Sequence, residues 1–255
     1  MRIVGNDIAS FQGDINYDVY KNNSNFVIMK ATEGVGFKDP KFSRNQSEAR
    51  RVGLPLGYYH FARPDLNADA TKEAQYFLDQ LGELRDGEIL ALDYEVAKNQ
   101  NHVNWCKTWL DYVFQKTGCR PLLYASESYV TGLDWTAVVN GGYGLWIAKY
   151  LYAPNPDAQY NTGKWPFAAL YQWSSSQQVP GISGNVDADV FYGDQATFKK
   201  YGYKKPTPPP PPVDYQKLFN DEVAKNKTLT DQNTGLQTQV NSLKDKIEKA
   251  KADLA

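Results

Sequence analysis

The sequence predicts an α/β domain folded as a β/α barrel, followed by a proline-rich linker and a C-terminal helix. Two observations predict the barrel. Eight short runs rich in Val, Ile, Leu and Tyr follow one another within the first 200 residues, and segments with helical periodicity separate the earlier runs. The later runs have shorter, loop-like connections. A doubly wound open sheet shows the same alternation, so the pattern leaves that architecture open.

Each predicted strand is a short, mostly apolar stretch. The strands are expected over 2–10, 25–34, 56–62, 88–95, 120–126, 143–150, 167–175 and 185–191. Amphipathic segments fill the earlier gaps and predict helices. These helices are expected over 39–52, 68–82 and 98–117.

Composition argues against two kinds of partner. With 28 basic and 29 acidic residues, the formal net charge is −1, so no overall field attracts nucleic acid. No apolar run reaches the roughly 18 residues of a membrane-spanning helix, and membrane insertion is not expected. The N-terminal "MRIVGNDIASF" lacks the charged and then apolar pattern of a signal peptide, which predicts synthesis in the cytoplasm.

Acidic residues occur within or at the ends of four predicted strands. Asp7 lies towards the end of the first run, Glu33 ends the second, Asp93 and Glu95 end the fourth, and Asp187 lies in the last. A buried carboxylate is costly unless it is paired or used, and barrel enzymes carry their chemistry at the carboxyl ends of strands. These acids are therefore expected to form one functional cluster.

Asp93 and Glu95 are the most informative pair. Side chains alternate along a strand, so both should point to the same face, with Cα atoms about 6.5–7 Å apart. Two neighbouring, partly buried carboxyl groups cannot keep the same pKa, and one pKa is raised enough to hold a proton near neutral pH. Glycosidic bond cleavage requires a protonated acid beside an ionised one. A Mg²⁺ or Ca²⁺ site is the alternative use of such carboxylates.

Other chemistries fit the sequence less well. The two histidines, His60 and His102, are too few for a multi-histidine zinc site, and His60 is expected to be a hydrogen-bonded core residue. Cys106 and Cys119 sit around a predicted helix without metal spacing and are expected to be free thiols. No phosphate-binding glycine loop is present. We therefore predict no metal and no cofactor.

Seven short motifs follow one another along the chain: "DIASFQG", "KATEG", "GYYHFARP", "LALDYE", "LWIAKY", "YQWSS" and "GNVDADVF". In this order they resemble glycoside hydrolase family 25, the Chalaropsis-type lysozymes or N-acetylmuramidases, which include many phage endolysins. The resemblance covers about residues 1–200 and implies an irregular, flattened β/α barrel with eight strands and fewer helices. It also implies hydrolysis of the β-1,4 bond from N-acetylmuramic acid to N-acetylglucosamine in peptidoglycan.

The resemblance places four catalytic carboxylates on this chain, at Asp7, Asp93, Glu95 and Asp187. Glu95 would be the general acid that protonates the leaving oxygen. Asp93 would orient the 2-acetamido group of the substrate or stabilise the oxocarbenium-like centre, while Asp7 and Asp187 would hold the network and tune its pKa values. Three mechanisms stay open: catalysis through the N-acetyl group of the substrate, through a protein nucleophile, or by inversion.

Further residues near the strand ends are candidates for lining the sugar groove. They are Tyr59, Tyr124 and Trp146, with Gln172 as a hydrogen-bonding partner and Glu33 as a further candidate. Each aromatic residue has an alternative role in the barrel core. For Glu33 the alternative is a salt bridge with Lys30.

The domain limits follow from composition. We expect a catalytic domain over 1–203, a proline-rich linker over 204–213 ("KKPTPPPPPV") and a helical segment over 214–255. In the tail, apolar residues repeat every seven positions and interleave, as do the a and d positions of a two-stranded parallel coiled coil. The d positions are Leu229, Leu236, Leu243 and Ala250, and the a positions are Asn233, Val240, Ile247 and Leu254.

This pattern predicts a homodimer through residues 215–255. Lys246 would face Lys251 of the partner chain and weaken the seam, so a solvated single helix is the alternative.

Taken together, these features predict a peptidoglycan hydrolase that acts at the bacterial cell wall. An endolysin that leaves the cytoplasm through a separate holin-type pore is the expected form. A virion-bound lysin with the same chemistry, a wall-glycan-binding module without catalysis, and a hydrolase of chitin-like polymers are the alternatives. The four acids argue against a pure binding module, which has no need to bury them.

Overall fold

The computed structural model describes residues 1–206 and 214–253. The strands within these residues are β1 (Ile3–Ile8), β2 (Phe26–Glu33), β3 (Phe37–Lys38), β4 (Leu56–Phe61), β5 (Ile89–Asp93), β6 (Leu122–Ser126), β7 (Leu145–Ala148), β8 (Leu170–Gln177) and β9 (Val186–Phe191). The helices are α1 (Tyr17–Tyr20), α2 (Phe42–Arg51), α3 (Ala70–Leu81), α4 (Gln100–Thr117), α5 (Glu127–Gly132), α6 (Thr136–Asn140), α7 (Gln195–Tyr201) and α8 (Tyr215–Asp253).

Eight of the strands form a closed barrel. The sheet runs in the order β1-β9-β8-β7-β6-β5-β4-β2, and β1 pairs with β2 to close it. The two-residue strand β3 forms a hairpin with β2 outside this ring. Closure excludes the doubly wound open sheet, because an open sheet has no pairing between its first and last strands.

The last strand runs against the others. β9 is antiparallel to both β1 and β8, whereas all other neighbours in the ring are parallel. The start of β9 therefore lies at the end of the barrel where the parallel strands finish. Asp187 lies in the last strand, as predicted, and as the second residue of β9 it stands near the amino end of that strand.

All eight predicted strands are present, within a few residues of their expected ends. The three predicted helices correspond to α2, α3 and α4. The connection from β6 to β7, which was expected to be loop-like, contains α5 and α6. Helices α1, α5, α6 and α7 have four to seven residues, which is too short for periodicity to reveal them. Both cysteines are buried and free, as expected.

Helix boundaries follow from local capping. Asp69 precedes α3, and its carboxylate accepts hydrogen bonds from the backbone N–H groups of Thr71 and Lys72. Asn99 caps α4 in the same way, through the N–H of Asn101. Helix α4 ends at Thr117 and is followed by Gly118, whose left-handed conformation (φ 69°) suits glycine.

The barrel interior changes from apolar to polar along its axis. At the end where the parallel strands begin, Phe26, Phe191 and Phe198 pack together, with Phe198 supplied by α7. At the opposite end, interior positions carry Asp7 and Asp93 instead. The apolar end stabilises the barrel by burying large side chains, and the polar end is available for chemistry.

The helices cover the outside of the barrel and bury one histidine. His60, on the outer face of β4, is inaccessible to solvent, and its ring lies 5.5 Å from that of Trp109 between centroids. Its Nδ1 is 2.7 Å from Thr32 Oγ1 and its Nε2 is 2.9 Å from Glu73 Oε2. Burial lowers the pKa of His60, which favours the neutral ring. The prediction of a hydrogen-bonded core histidine is confirmed.

Close packing inside the barrel leads to a stability prediction for Gly5. A Cβ atom at Gly5 would lie 2.5 Å from ring atoms of the fully buried Phe26. A Gly5→Ala variant is therefore expected to unfold about 1–3 kcal/mol more easily, the usual cost of overpacking a core. Urea unfolding followed by tryptophan fluorescence measures this. Val4→Ala, at a neighbouring residue that is 45% exposed, is the control and should change stability much less. An unaltered midpoint for Gly5→Ala would contradict the tight packing.

The chain divides into two compact units, Met1–Lys205 and Pro206–Ala255. The second contains α8, whose apolar side chains at the a and d positions are about half exposed in the single chain. None of the described helices, α8 included, has the length and apolarity needed to cross a membrane. The predicted domain limits stay a prediction; most of the linker over 204–213 and also Leu254 lie outside the described residues.

Candidate active site

The acidic side chains meet in a cavity of about 250 Å³ at the end of the barrel where the parallel strands finish. Asp7 projects from β1, Asp93 is the last residue of β5, and Glu95 follows two residues later. Asp187 reaches the same cavity because β9 runs antiparallel to its neighbours. The barrel thus brings together all four predicted carboxylates.

Asp93 and Glu95 form a pair in which one group is buried and the other meets solvent. Asp93 is 5% exposed, and its Oδ1 atom has no hydrogen-bond partner among the described residues. Glu95 is exposed at the mouth of the cavity. The intervening Tyr94 is fully buried, with its ring 5.8 Å from that of Trp135. Packing of Tyr94 therefore holds the segment that carries both acids.

The surroundings raise the proton affinity of this pair. Burial raises the pKa of Asp93 well above its ordinary value, and the charge of Glu95 raises it further. The cavity walls partly desolvate Glu95 and raise its pKa, although the neighbouring Asp93 and the charge of Lys30 act in the opposite direction. The pair therefore holds a proton at a higher pH than an isolated carboxyl group does.

Asp7 belongs to a hydrogen-bond chain across the cavity floor. Gln172 Nε2 donates to Asp7 Oδ2 at 2.5 Å. Gln172 Oε1 in turn accepts from the hydroxyl groups of Tyr124 at 2.7 Å and Tyr150 at 2.5 Å. Both tyrosines thereby turn the amide so that its NH₂ group faces Asp7. Burial raises the pKa of Asp7 well above its ordinary value, and nearby carboxylates raise it further.

A fifth carboxyl group, Asp189, adjoins this network and was not among the residues predicted from the sequence. It is fully buried; Trp146 Nε1 donates to its Oδ1 at 2.8 Å, and its Oδ2 has no partner in residues 1–206 and 214–253. Burial raises the pKa of Asp189 to about 8, although the neighbouring Asp7 and the hydrogen bond from Trp146 act in the opposite direction. Burial therefore favours the protonated form of Asp189. The signal in the sequence is the alternation in "VDADVF", which turns Asp187 and Asp189 to the same face.

Asp187 is less buried than Asp189 and titrates at lower pH. Burial raises the pKa of Asp187 to about 6, and the charge of Glu95 adds to this. Its backbone carbonyl accepts a hydrogen bond from Asn6 Nδ2 at 2.7 Å, which ties the start of β9 to β1. Within the described part of the chain, no group of three or more His, Cys, Asp and Glu residues is arranged to hold a metal ion.

The predicted aromatic residues form the floor of the cavity. Tyr59, Tyr124 and Trp146 all line it but are only 9%, 7% and 1% exposed. The Trp146 ring lies edge-on to those of Tyr124, at 4.8 Å, and Tyr59, at 6.4 Å. These rings therefore offer little free face to a sugar. Their contact with substrate, and that of Gln172, stays a prediction, while the geometry gives them a supporting role for the acids.

Glu33 lies beside the cavity and does not line it. Lys30 Nζ donates to Glu33 Oε2 at 2.7 Å, and Arg63 Nη1 donates to its Oε1 at 2.9 Å. The salt bridge that the sequence offered as an alternative is thus present. A role of Glu33 in substrate binding stays a prediction.

Two exposed aromatic residues at the mouth of the cavity were not among the residues predicted from the sequence. Phe11 is 89% exposed and Tyr150 is 50% exposed, and both line the cavity. Exposed rings in this position can stack on a sugar face. Each lies at or just beyond the end of a predicted strand, 2–10 or 143–150, and that placement is the signal in the sequence.

The chain is similar to known proteins in both sequence and structure. The family model described as Glycosyl hydrolases family 25 matches residues 6–182. An N,O-diacetylmuramidase of Chalaropsis sp is 30% identical in an alignment 208 residues long that covers 72% of this chain and 96% of that protein. A bacterial lysozyme structure from Streptomyces coelicolor has a TM-score of 0.68 at 26% identity, covering 78% of this chain and 96% of that one. The CTP1L endolysin structure has a TM-score of 0.66 at 27% identity, covering 78% and 69%.

Proposed function

Because the chain belongs to the glycosyl hydrolases of family 25, we propose that it hydrolyses peptidoglycan at the β-1,4 bond from N-acetylmuramic acid to N-acetylglucosamine. The protein is a glycoside hydrolase, and the substrate and bond are the proposed part. The observation that carries the proposal is the Asp93–Glu95 pair, with one buried and one accessible carboxyl group in a single cavity.

Glu95 is the proposed general acid. It is the accessible member of the pair at the mouth of the cavity, where a glycosidic oxygen can approach it. Its raised pKa favours the protonated form that donation to the leaving oxygen requires. The backbone beyond Asp93 leaves the strand, so Glu95 extends past the barrel rim.

Asp93 and Asp7 are proposed to act on the reacting sugar. Asp93 is buried beneath Glu95 with one oxygen unpartnered among the described residues, which suits it to accept a hydrogen bond from the substrate's 2-acetamido N–H. Alternatively its charge stabilises the oxocarbenium-like centre. Asp7, held by Gln172, would fix the neighbouring part of the same ring.

The test uses purified peptidoglycan from which the peptides have been removed. Wild-type enzyme is expected to release fragments whose new reducing ends, identified by borohydride reduction and mass spectrometry, are N-acetylmuramic acid. New N-acetylglucosamine ends would contradict the proposed bond. Chitin oligomers of the same length are the matched substrate, and equal turnover of both would contradict the proposed substrate class.

The biological setting that we propose is lysis by a phage endolysin. Similarity to the CTP1L endolysin supports it. Proteomics of purified phage particles and of the lysate distinguishes this role from that of a virion-bound lysin. If the protein is an endolysin, it should be found in the lysate only. Recovery of the protein from purified particles would contradict this proposal.

We further propose that two chains pair through α8. Leu229, Leu236 and Leu243 at the d positions are 50%, 58% and 58% exposed in the single chain. Val240 and Ile247 at the a positions are 43% and 55% exposed. A second copy of the helix would cover this stripe, as in a two-stranded coiled coil. Two linked catalytic units would leave the insoluble wall more slowly than one, because rebinding becomes intramolecular.

Sedimentation equilibrium tests the dimer. Wild type is expected to be dimeric at about 10 µM, and Leu236→Asp is expected to be monomeric because it places a charge in the seam. Thr238→Asp adds the same charge at the outer f position and should leave the dimer intact. A monomeric wild type at this concentration would contradict the proposal.

A further inference from the structure

A second cavity, of about 660 Å³, opens at the opposite end of the barrel from the carboxylates. Two residues that line it mark this end of the barrel, because Leu122 is the first residue of β6 and Gly144 directly precedes β7. We call it the basal groove; it is lined by residues within 118–122, 139–144, 165–167 and 197–204. It is larger than the active-site cavity, and the described residues that line the two cavities are different.

The basal groove has an apolar floor and an exposed aromatic edge. Leu122, Tyr143 and Trp165 are buried beneath it, and Trp165 Nε1 already donates to the carbonyl of Tyr143 at 2.8 Å. Phe167 stands at the edge and is 61% exposed. At Gly144 a Cβ atom would lie 2.7 Å from a methyl group of Leu122. A side chain there would collide with the floor, so glycine keeps the groove open.

The charges on the groove have one sign. Arg120, Lys200 and Lys204 line it, and no acidic residue of the described chain does. Within residues 1–206 and 214–253, none of the three takes part in an ion pair closer than 4 Å. The nearby Asp194 caps α7, and hydrogen bonds from Thr197 lower its pKa, with a smaller contribution from the charge of Lys200. The local excess of positive charge contrasts with the chain's net charge of −1.

Arg120 is held in place while its outer nitrogen atoms stay available. Its guanidinium lies 4.1 Å from the ring centroid of Phe114, and its Nε donates to the carbonyl of Gly141 at 3.2 Å. A guanidinium oriented in this way can bind a phosphate oxygen without a further loss of side-chain freedom.

We propose that the basal groove binds an anionic cell-wall polymer whose sugar or polyol units are joined by phosphodiesters. The proposal rests on the proposed function, which places the enzyme at the wall. Three cations beside an exposed ring match a polymer that alternates negative phosphates with units that stack on an aromatic face. Because the groove and the active site open at opposite ends of the barrel, polymer binding leaves the catalytic cavity free for glycan.

Nucleic acid is the other common phosphodiester polymer and fits less well. Proteins that bind it without sequence preference combine a long basic track with several stacking rings. The basal groove offers three cations and one exposed ring, Phe167, among the residues that the structure describes.

The test measures binding of fluorescein-labelled poly(glycerol phosphate) to the full chain by anisotropy. Wild type is expected to bind, with affinity that falls steeply as salt rises. The triple variant Arg120→Gln, Lys200→Gln, Lys204→Gln is expected to bind at least tenfold more weakly. The triple variant Lys21→Gln, Lys72→Gln, Lys116→Gln removes the same charge from exposed sites outside the groove and should bind like wild type.

Several outcomes would overturn the proposal. They are equal binding by wild type and the groove variant, equal binding of neutral dextran, or tighter binding of single-stranded DNA of the same charge. A groove variant that differs from wild type in sedimentation would instead identify a self-association surface. Hydrolysis of polymer-free peptidoglycan should be the same in both triple variants. If the proposed function is wrong, wild type will not hydrolyse peptidoglycan. If only the binding proposal is wrong, wild type will hydrolyse peptidoglycan but the groove variant will bind the polymer as well as wild type does.

Discussion

The Glu95→Gln variant is expected to lose about a thousandfold of kcat on soluble glycan fragments, within the range that general acid catalysis contributes. Glutamine has the size and shape of the protonated acid, so the cavity should keep its form and substrate affinity should change little. It cannot release a proton, however, and the leaving oxygen would depart unprotonated. Initial rates, together with binding measured on the inactive variant, separate these two effects.

The matched control is Glu83→Gln, the same substitution at an exposed carboxylate whose nearest cation is Lys205, at 3.5 Å. It should keep the wild-type rate. If Glu95→Gln kept more than about a tenth of the wild-type kcat, Glu95 would not be the general acid that protonates the leaving oxygen. Asp93 would then be the next candidate.

The pH profile of wild type follows from the same pair. A general acid works only while protonated, so the rate should fall as pH rises through the pKa of Glu95, which lies above its ordinary value. The residual activity of Glu95→Gln should lack this alkaline limb. The comparison distinguishes loss of a proton donor from a general disturbance of the site.

Much of the barrel could be predicted from the sequence because buried strands appear in it as runs of apolar residues. The stretch "EILALDYE" illustrates both the strength and the limit of this signal. Its strand was expected over 88–95 and is present as β5, but β5 ends at Asp93, so Glu95 lies beyond the strand. The two acids nevertheless line one cavity, as alternation along the chain predicted.

The direction of β9 could not be predicted in the same way. Whether a strand runs parallel or antiparallel depends on pairings with residues far away in the chain, here with β1 and β8. Local alternation in "VDADVF" does contain the information that Asp189 shares a face with Asp187. The family resemblance carried only Asp187, and so the more buried acid was overlooked.

The local sequence pattern also could not predict which of the aromatic residues are buried. Four aromatic residues lie near strand ends. Tyr59 and Trp146 are buried, whereas Phe11 and Tyr150 are exposed. The difference arises because Tyr59 and Trp146 point into the closed ring of strands. Ring closure requires contacts between β1, β2 and β9, which no single segment encodes.

Asp189→Asn is expected to stabilise the barrel at pH 8 and to have little effect near pH 4. The folded state holds the Asp189 proton up to a pKa of about 8, whereas an unfolded chain releases it near pH 4. The wild type therefore loses stability as pH rises between these values, and levels off above the folded pKa. Asparagine resembles the protonated acid and removes this loss, so the gain at pH 8 should be at most about 5 kcal/mol, from roughly four pKa units at about 1.4 kcal/mol each.

Urea unfolding between pH 4 and pH 9, followed by tryptophan fluorescence, measures this gain. All six tryptophans lie before residue 203, so the signal reports the barrel and not α8. Asp187→Asn is the matched comparison: with a pKa of about 6, its gain should be smaller and should level off near pH 6. A constant difference between Asp189→Asn and wild type across this pH range would contradict a proton held on Asp189.

The activity of Asp189 variants tests whether this side chain supports the catalytic cavity. Because the asparagine side chain retains an oxygen that can accept from Trp146, Asp189→Asn should keep most of its activity near neutral pH. Asp189→Leu should lose activity, because it leaves the buried indole N–H of Trp146 without an acceptor beneath the catalytic cavity. If both variants were equally active, the hydrogen bond from Trp146 to Asp189 would have no part in supporting the catalytic cavity. If only the leucine variant failed, the carboxyl group would act as a neutral hydrogen-bonding support whose ionisation the folded barrel opposes.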